Sequence, residues 1–275
     1  VSQREFHYTR EDFELLRKLV NEHTGISLSD HKQEMLYSRL SRRLRALKLD
    51  SFASYYRLLQ GDCGDELMQF INAMTTNLTA FFREPHHFDY LKNELLPRLK
   101  TQHAITRKLR IWSAGCASGE EPYSIAMVIK EVIPPDWDVK ILATDLDSAV
   151  LEKAKMGIYL EEKINNVPKT YLSQFFKRGT GAQKGKVHID PELQKMVTFR
   201  PLNLIHTWPM RGQFDIIFCR NVIIYFDKDT QTHLFERFAN ILVPNGYLFV
   251  GHSENLFKLT TRFRLLKQTI YIKSE

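Results

Sequence analysis

The densest run of chemistry-bearing residues is Leu109-Arg-Ile-Trp-Ser-Ala-Gly115-Cys-Ala-Ser-Gly119-Glu-Glu-Pro-Tyr-Ser, an apolar stretch passing through small residues into two acids. A strand, a small-residue turn and a helix start in that order expose backbone at the carboxyl edge of a doubly wound sheet, where such folds take up ligands. The dinucleotide fingerprint G-x-G-x-x-G is absent, because only Gly115 and Gly119 occur. Glu120 and Glu121 stand where a helix N-terminus would hold a pyrophosphate, and two carboxylates there repel phosphate. They suit a cationic, hydroxyl-rich ligand such as S-adenosylmethionine, with its ammonium, sulfonium and ribose. Thirty residues after Gly115, Ile141-Leu-Ala-Thr-Asp145-Leu-Asp ends the next apolar run on a carboxylate that can accept both ribose hydroxyls. The plainer readings are a tight strand–helix turn at Gly115 and a helix cap at Asp145.

Other constellations fail on spacing. Asp145-x-Asp147 lacks the glycine and glutamate of a calcium loop. Gly179-Thr-Gly-Ala-Gln-Lys-Gly185-Lys186 imitates a phosphate loop with the wrong gap and no Ser or Thr after the lysine. His86 and His87 are sequence neighbours, expected on different helix faces, so no metal site is expected.

Positioning these residues requires alternating strands and helices: Leu109–Ala114, Glu120–Ile133, Val139–Thr144 and Ser148–Met156, then strands at Val197–Pro201, Phe214–Cys219 and Tyr247–Gly251. Such alternation predicts parallel strands with right-handed crossovers. A helix at Thr230–Leu242 and a closing hairpin around Lys267-Gln268 complete the unit. Between Gly157 and Met196 lies a glycine-punctuated interruption, read as an inserted, β-rich subdomain at about 158–196. Residues 9–80 show helical spacing and no strand signal: Thr9 caps a helix that Gly25 ends, and Leu36, Leu40, Leu44 and Leu47 stripe a second helix from Asp30. The expected organisation is a helical N-terminal domain (1–84), a connecting helix and linker (85–108) beginning at Pro85, and an α/β domain (109–275).

With 43% apolar and 26% charged residues, the 275-residue chain has globular composition and can bury a core without staples. Cys63, Cys116 and Cys219 form no C-x-x-C and read as reduced thiols of a cytoplasmic protein. Secretion and membrane spanning are not expected, since the first residues lack an apolar stretch and Arg220 and Asn221 interrupt the longest apolar run. Net charge is +7, but residues 1–80 hold 11 basic and 11 acidic side chains, while 155–200 hold 9 and 4. A patchy excess of this kind fits an acidic protein surface at least as well as a nucleic acid. Arg39, Arg42, Arg43 and Arg45 around the second helix are read either as a solvated face or as a docking face for acidic helices.

Five separated motifs together resemble one family. Thr75-Thr-Asn-Leu-Thr79-Ala-Phe-Phe-Arg83-Glu, the Trp112–Ser124 run, Thr144-Asp-Leu-Asp, Phe218-Cys-Arg-Asn-Val-Ile-Ile-Tyr-Phe-Asp227 and Gly251-His-Ser-Glu-Asn255 are similar, in order and spacing, to the chemotaxis receptor glutamate O-methyltransferases (CheR). The resemblance implies a class I S-adenosylmethionine-dependent methyltransferase: a doubly wound, mostly parallel α/β sheet, an all-helical N-terminal domain and a small inserted β-subdomain. It implies transfer of a methyl group from S-adenosylmethionine to receptor glutamates, leaving S-adenosylhomocysteine. By the same resemblance, Asn77, Thr79 and Arg83 face the methionine end of the cofactor or the acceptor, and Glu121 and Asp145 its polar groups. Glu120 could share the role of Glu121. Asn203, Leu204, Arg220 and Asn221 fall near the adenosine and active site, and Tyr225 near the methyl acceptor, so Arg83 and Tyr225 are the expected catalytic residues. The expected partner is the cytoplasmic helical region of receptors, with Arg178, Gly179, Thr180 and Gly181 resembling a site for a receptor C-terminal tether peptide. A nucleic-acid methyltransferase and a non-catalytic cofactor-binding scaffold stay open as alternatives; the first is disfavoured by the neutral N-terminal region, the second by intact Gly115, Asp145, Arg83 and Tyr225.

Overall fold

The computed structural model describes residues 4–61 and 64–274, so Cys63 lies outside the described residues. Arg10–Thr24 (α1), Gln33–Leu47 (α2), Phe52–Gln60 (α3) and Gly64–Met74 (α4) pack as a helical unit. Thr9 starts α1 with a capping box, its hydroxyl accepting from Asp12 N at 3.0 Å and its own N–H donating to the Asp12 carboxylate at 2.8 Å. Phe13 and Leu16 of α1, Leu36 and Leu40 of α2, Tyr55 of α3 and Phe70 of α4 are fully buried in one shared core, each worth roughly 1.5–3 kcal/mol of burial. The second helix does not begin directly at Asp30: a 3₁₀ turn, Asp30–Lys32, precedes α2.

Pro85–Tyr90 (α5) runs through a π turn, Leu91–Leu95, into Leu96–Gln102 (α6). Pro97 offers no N–H to the turn before it, and the widened turn accommodates its ring. The α/β part follows as Lys108–Ala114 (β1), Glu120–Val132 (α7), Asp138–Asp145 (β2) and Ser148–Met156 (α8). The insert holds Ile158–Leu160 (β3), Lys169–Phe175 (α9), Phe176–Arg178 (β4), Lys186–Ile189 (β5) and Pro191–Met196 (α10). Its strands form an antiparallel sheet in the order β3-β5-β4, but α9 and α10 were not expected: each is under two turns, too short to leave a helical period among the glycines.

Val197–Pro201 (β6), Phe214–Cys219 (β7), Lys228–Ile241 (α11), Leu242–Val250 (β8), Phe263–Lys267 (β9) and Ile270–Lys273 (β10) complete the chain. The main sheet has the order β6-β2-β1-β7-β8-β10-β9, parallel through β8, with β10 antiparallel to both its neighbours. The hairpin turns at Gln268-Thr269, one residue later than expected, with Thr269 at φ 54°. Side chains alternate across the sheet: Ile111 and Phe218 enter the core beneath α5–α7, whereas Trp112 and Ile217 enter the core beneath α11. Strand order reverses between β1 and β7, which opens a crevice at their carboxyl ends. Among the described residues no helix is long and apolar enough to cross a membrane.

Candidate active site

The loops leaving β1, β2, β6 and β7 meet segment 75–83, which joins α4 to α5, around one cavity with about 920 Å³ of empty space open to solvent. Thr24 and Ile26, at the end of α1, close its far side. Of the residues singled out from sequence, Asn77, Thr79, Arg83, Gly115, Glu121, Asp145, Asn203, Leu204, Arg220, Asn221 and Tyr225 all line it.

Gly115 adopts φ +86°, and a Cβ there would lie 2.3 Å from Val222 Cγ2, so the turn after β1 packs directly on the turn after β7. Only glycine fits both the backbone and the space. Asp145 ends β2 with its carboxylate oriented by backbone: Oδ2 accepts from Ala117 N (2.8 Å) and Oδ1 from Asp147 N (2.9 Å). Burial pushes its carboxyl up to about 6, against the pull of those two N–H groups.

Glu120 and Glu121 part company because successive helix residues point about 100° apart. Glu120 is buried outside the cavity lining, where the Ser118 hydroxyl donates to it at 2.7 Å. Glu121 lines the cavity, accepting from Ser113 Oγ at 2.7 Å and from Arg220 Nη1 at 3.1 Å. Burial pushes the Glu121 carboxyl up while Arg220 pulls it down. The guanidinium of Arg220, its side chain 2% exposed, also faces Glu84 at 3.2 Å and donates to the Arg83 carbonyl. Burial alone would raise Glu84, but Arg220 and His252 hold its carboxyl at about 2. The expected double-carboxylate face is therefore not bare: Arg220 offsets Glu121, and Asp145 is the acid left without a cationic partner. Ligand atoms of Glu84, His86 and His87 do converge within 4.8 Å, contrary to the expected splitting of the histidines. Arg220 already supplies the cation beside Glu84, which argues against a metal ion there.

Arg83 lines the cavity, and its Nη1 donates to the Leu78 carbonyl at 2.8 Å; its Nε and Nη2 have no hydrogen-bond partner among the described residues. The Tyr225 hydroxyl makes no hydrogen bond among the described residues but lies within electrostatic reach of the Arg39 guanidinium, while its backbone carbonyl accepts from Ser27 N at 2.8 Å. Asn203 spends its amide on the interface between the two units, donating to His23 O (2.7 Å) and accepting from Ile205 N (3.1 Å).

Two residues that hold the site escaped sequence reasoning. Asp147, weighed only as part of a calcium loop, caps α8 with one oxygen and with the other accepts from Thr75 Oγ1 (3.0 Å) and Asn77 Nδ2 (2.7 Å). Arg39 is not a free docking cation: it donates to the carbonyls of Ala73 (3.3 Å), Met74 (2.8 Å) and Thr75 (2.7 Å) and to Thr76 Oγ1 (2.8 Å), closing the C-terminus of α4. Both partnerships span many residues of sequence, and no local pattern signals them. Arg43 is paired with Glu66 and Arg45 with Glu5, so of the four arginines only Arg42 is exposed without a partner among the described residues. Arg178, its side chain 86% exposed, and the segment to Gly181 lie on the insert, away from the cavity.

The family model described as "CheR methyltransferase, SAM binding domain" matches residues 77–272, and that described as "CheR methyltransferase, all-alpha domain" matches 11–75. The chain belongs to the CheR methyltransferase family. It is 49% identical over 269 residues to Chemotaxis protein methyltransferase 2 of Pseudomonas aeruginosa, covering 97% of this chain and 94% of that protein. It is 46% identical over 270 residues to Chemotaxis protein methyltransferase of Escherichia coli, covering 96% and 91%. As a CheR methyltransferase it uses S-adenosylmethionine, and its activity is methylation in chemotaxis. The donor set fits that cofactor: the CheR pocket offers the Asp145 carboxylate for hydroxyls and a glycine turn for close approach.

Proposed function

We propose that the chain is a protein-glutamate O-methyltransferase that esterifies glutamate side chains on the cytoplasmic helical region of chemotaxis receptors. When bound, S-adenosylmethionine supplies an electrophilic methyl group on a sulfonium, leaving as S-adenosylhomocysteine. A glutamate with a reference pKa of about 4.3 is almost wholly ionised at pH 7, so no residue has to remove a proton. This chemistry therefore asks no general base of Arg83, Tyr225 or their neighbours. What the protein must supply is alignment and exclusion of water.

The observation that carries the reading is the convergence, on one cavity, of the oriented Asp145 carboxylate with Arg83 and Tyr225. Asp145 takes the ribose hydroxyls, while Asn77, Thr79 and Glu121 bound the methionine end. Leu204 offers its side chain to the adenosine, and Asn203 its surface, the amide being engaged. Arg83 forks onto a carboxylate with its free nitrogens, and Tyr225 aims the acceptor by a hydrogen bond. Arg42 and the net charge of +7 favour an acidic helical partner. The insert supports a tether: β4 pairs with β5 on one side only, leaving a strand edge beside Arg178, Gly179, Thr180 and Gly181 to which a peptide can add.

The deciding assay is transfer of labelled methyl to receptor-containing membranes, followed by base treatment. An ester releases its methyl in base, whereas N-methylated nucleic acid retains it, and cofactor binding without transfer indicates a scaffold. Within that assay Arg83→Lys is expected to lose most activity with the fold intact, because an ammonium cannot reproduce the fork. Near-normal turnover by Arg83→Lys would remove that assignment.

A further inference from the structure

The motif Gly251-His-Ser-Glu-Asn255 contributes no residue to the cavity, yet Glu254 is almost fully buried directly behind it. Its carboxylate collects five backbone N–H groups. Oε1 accepts from Val222 (2.9 Å), Ile223 (2.7 Å) and Ile224 (3.2 Å), and Oε2 accepts from Asn221 (2.8 Å) and from Gly251. Four of these donors are consecutive, and they run from the turn after β7 into the 3₁₀ turn Ile223–Tyr225. Asn221 stands at φ 60°, in the left-handed region that asparagine adopts more readily than most residues. The other side of the clamp is equally tight: a Cβ on residue 251 would lie 2.8 Å from Asn221 N.

We infer that Glu254 is a positioning residue for methyl transfer: by gathering the N–H groups of residues 221–224 onto one carboxylate, it fixes where Tyr225 presents its hydroxyl. The inference rests on the acceptor role proposed above for Tyr225. It differs from a general stabilising role in its route, since Glu254 is not among the residues lining the cavity and the hydrogen bonds its carboxylate makes among the described residues all come from backbone N–H groups. A neutral amide cannot replace it, because an amide NH₂ would face N–H groups donor to donor.

The test is a double-mutant cycle in the full chain, measuring kcat and KM on receptor membranes together with the affinity for S-adenosylhomocysteine. Glu254→Gln is expected to lower kcat roughly tenfold to hundredfold, as a misplacement of about 1 Å does, while cofactor affinity changes about threefold or less. In the Glu254→Gln background, Tyr225→Phe should then cost little more, because the hydroxyl it removes is already misplaced. Asp227→Ala, which removes the cap of α11, serves as a stability control and should leave kcat within about twofold. If Glu254→Gln does not bind S-adenosylhomocysteine, the same cycle is run with Glu254→Asp, which keeps the charge but draws it back by one methylene. Unchanged kcat, or losses from the two substitutions that simply multiply, would overturn the inference. A Tyr225→Phe chain with normal kcat would instead remove the acceptor role of Tyr225, and with it the route claimed for Glu254.

Discussion

If Asp145 binds the cofactor as proposed, one buried acid should make cofactor binding depend on pH while turnover does not. Burial pushes its carboxyl up to about 6, so at pH 5 most of the ligand-free protein carries it protonated and short of the acceptor proposed for the ribose. Affinity for S-adenosylhomocysteine, followed by calorimetry, is expected to weaken about tenfold between pH 7 and pH 5, and Asp145→Asn should flatten that profile. The sign for stability is opposite. Because the folded value lies above the ordinary one, ionising Asp145 costs the ligand-free fold stability above pH 6, a cost relieved as the pH falls toward 4. At saturating cofactor the rate should be nearly flat from pH 6 to 9, since the glutamate acceptor proposed above is already an anion. A steep rise centred near 7 would reveal a general base and a different acceptor.

At the scale of elements, the decisive piece is the segment between α4 and α5, which carries Asn77, Thr79 and Arg83 yet belongs to no helix or strand until Pro85. It is held from two sides, by Arg39 of α2 on the carbonyls of residues 73–75 and by Asp147 at the head of α8 on Thr75 and Asn77. Arg39→Ala leaves those carbonyls without their donor and should destabilise the protein by about 1–2 kcal/mol, with cofactor affinity falling roughly tenfold. High salt should not reproduce the defect, because the guanidinium acts through short hydrogen bonds inside the molecule. If Arg39→Ala keeps full cofactor affinity but associates weakly with receptor membranes, Arg39 belongs to the docking surface after all.

Over the whole molecule, two cores cover the faces of the main sheet and a third fills the helical unit, and the cavity forms where that unit meets the sheet's carboxyl edge. An antiparallel bridge between Ile26 and Phe226 and the Asn203–His23 bond join the two parts beside Tyr225. On the function proposed above, long-range attraction to an acidic receptor bundle would rest on exposed cations such as Arg42. Arg42→Glu should therefore slow association several-fold at low salt and lose its effect near 1 M, where the Debye length is about 3 Å; an effect of equal size at both salt levels would point to a local structural change. The sequence alone determined the alternating strands and helices, the glycine turn after β1 and the acid ending β2, because strand and helix periods and turn chemistry are local properties. Motif order was enough to point to the family. Tertiary structure decided that Glu121 and not Glu120 reaches the cavity, and that Arg39, Arg43 and Arg45 have partners within the chain while Arg42 has none among the described residues. It also placed Asp147 and Glu254 on the backbone and side chains that carry the site. Those outcomes depend on which distant groups arrive within hydrogen-bond range once three cores have packed, and a linear pattern carries no record of that distance.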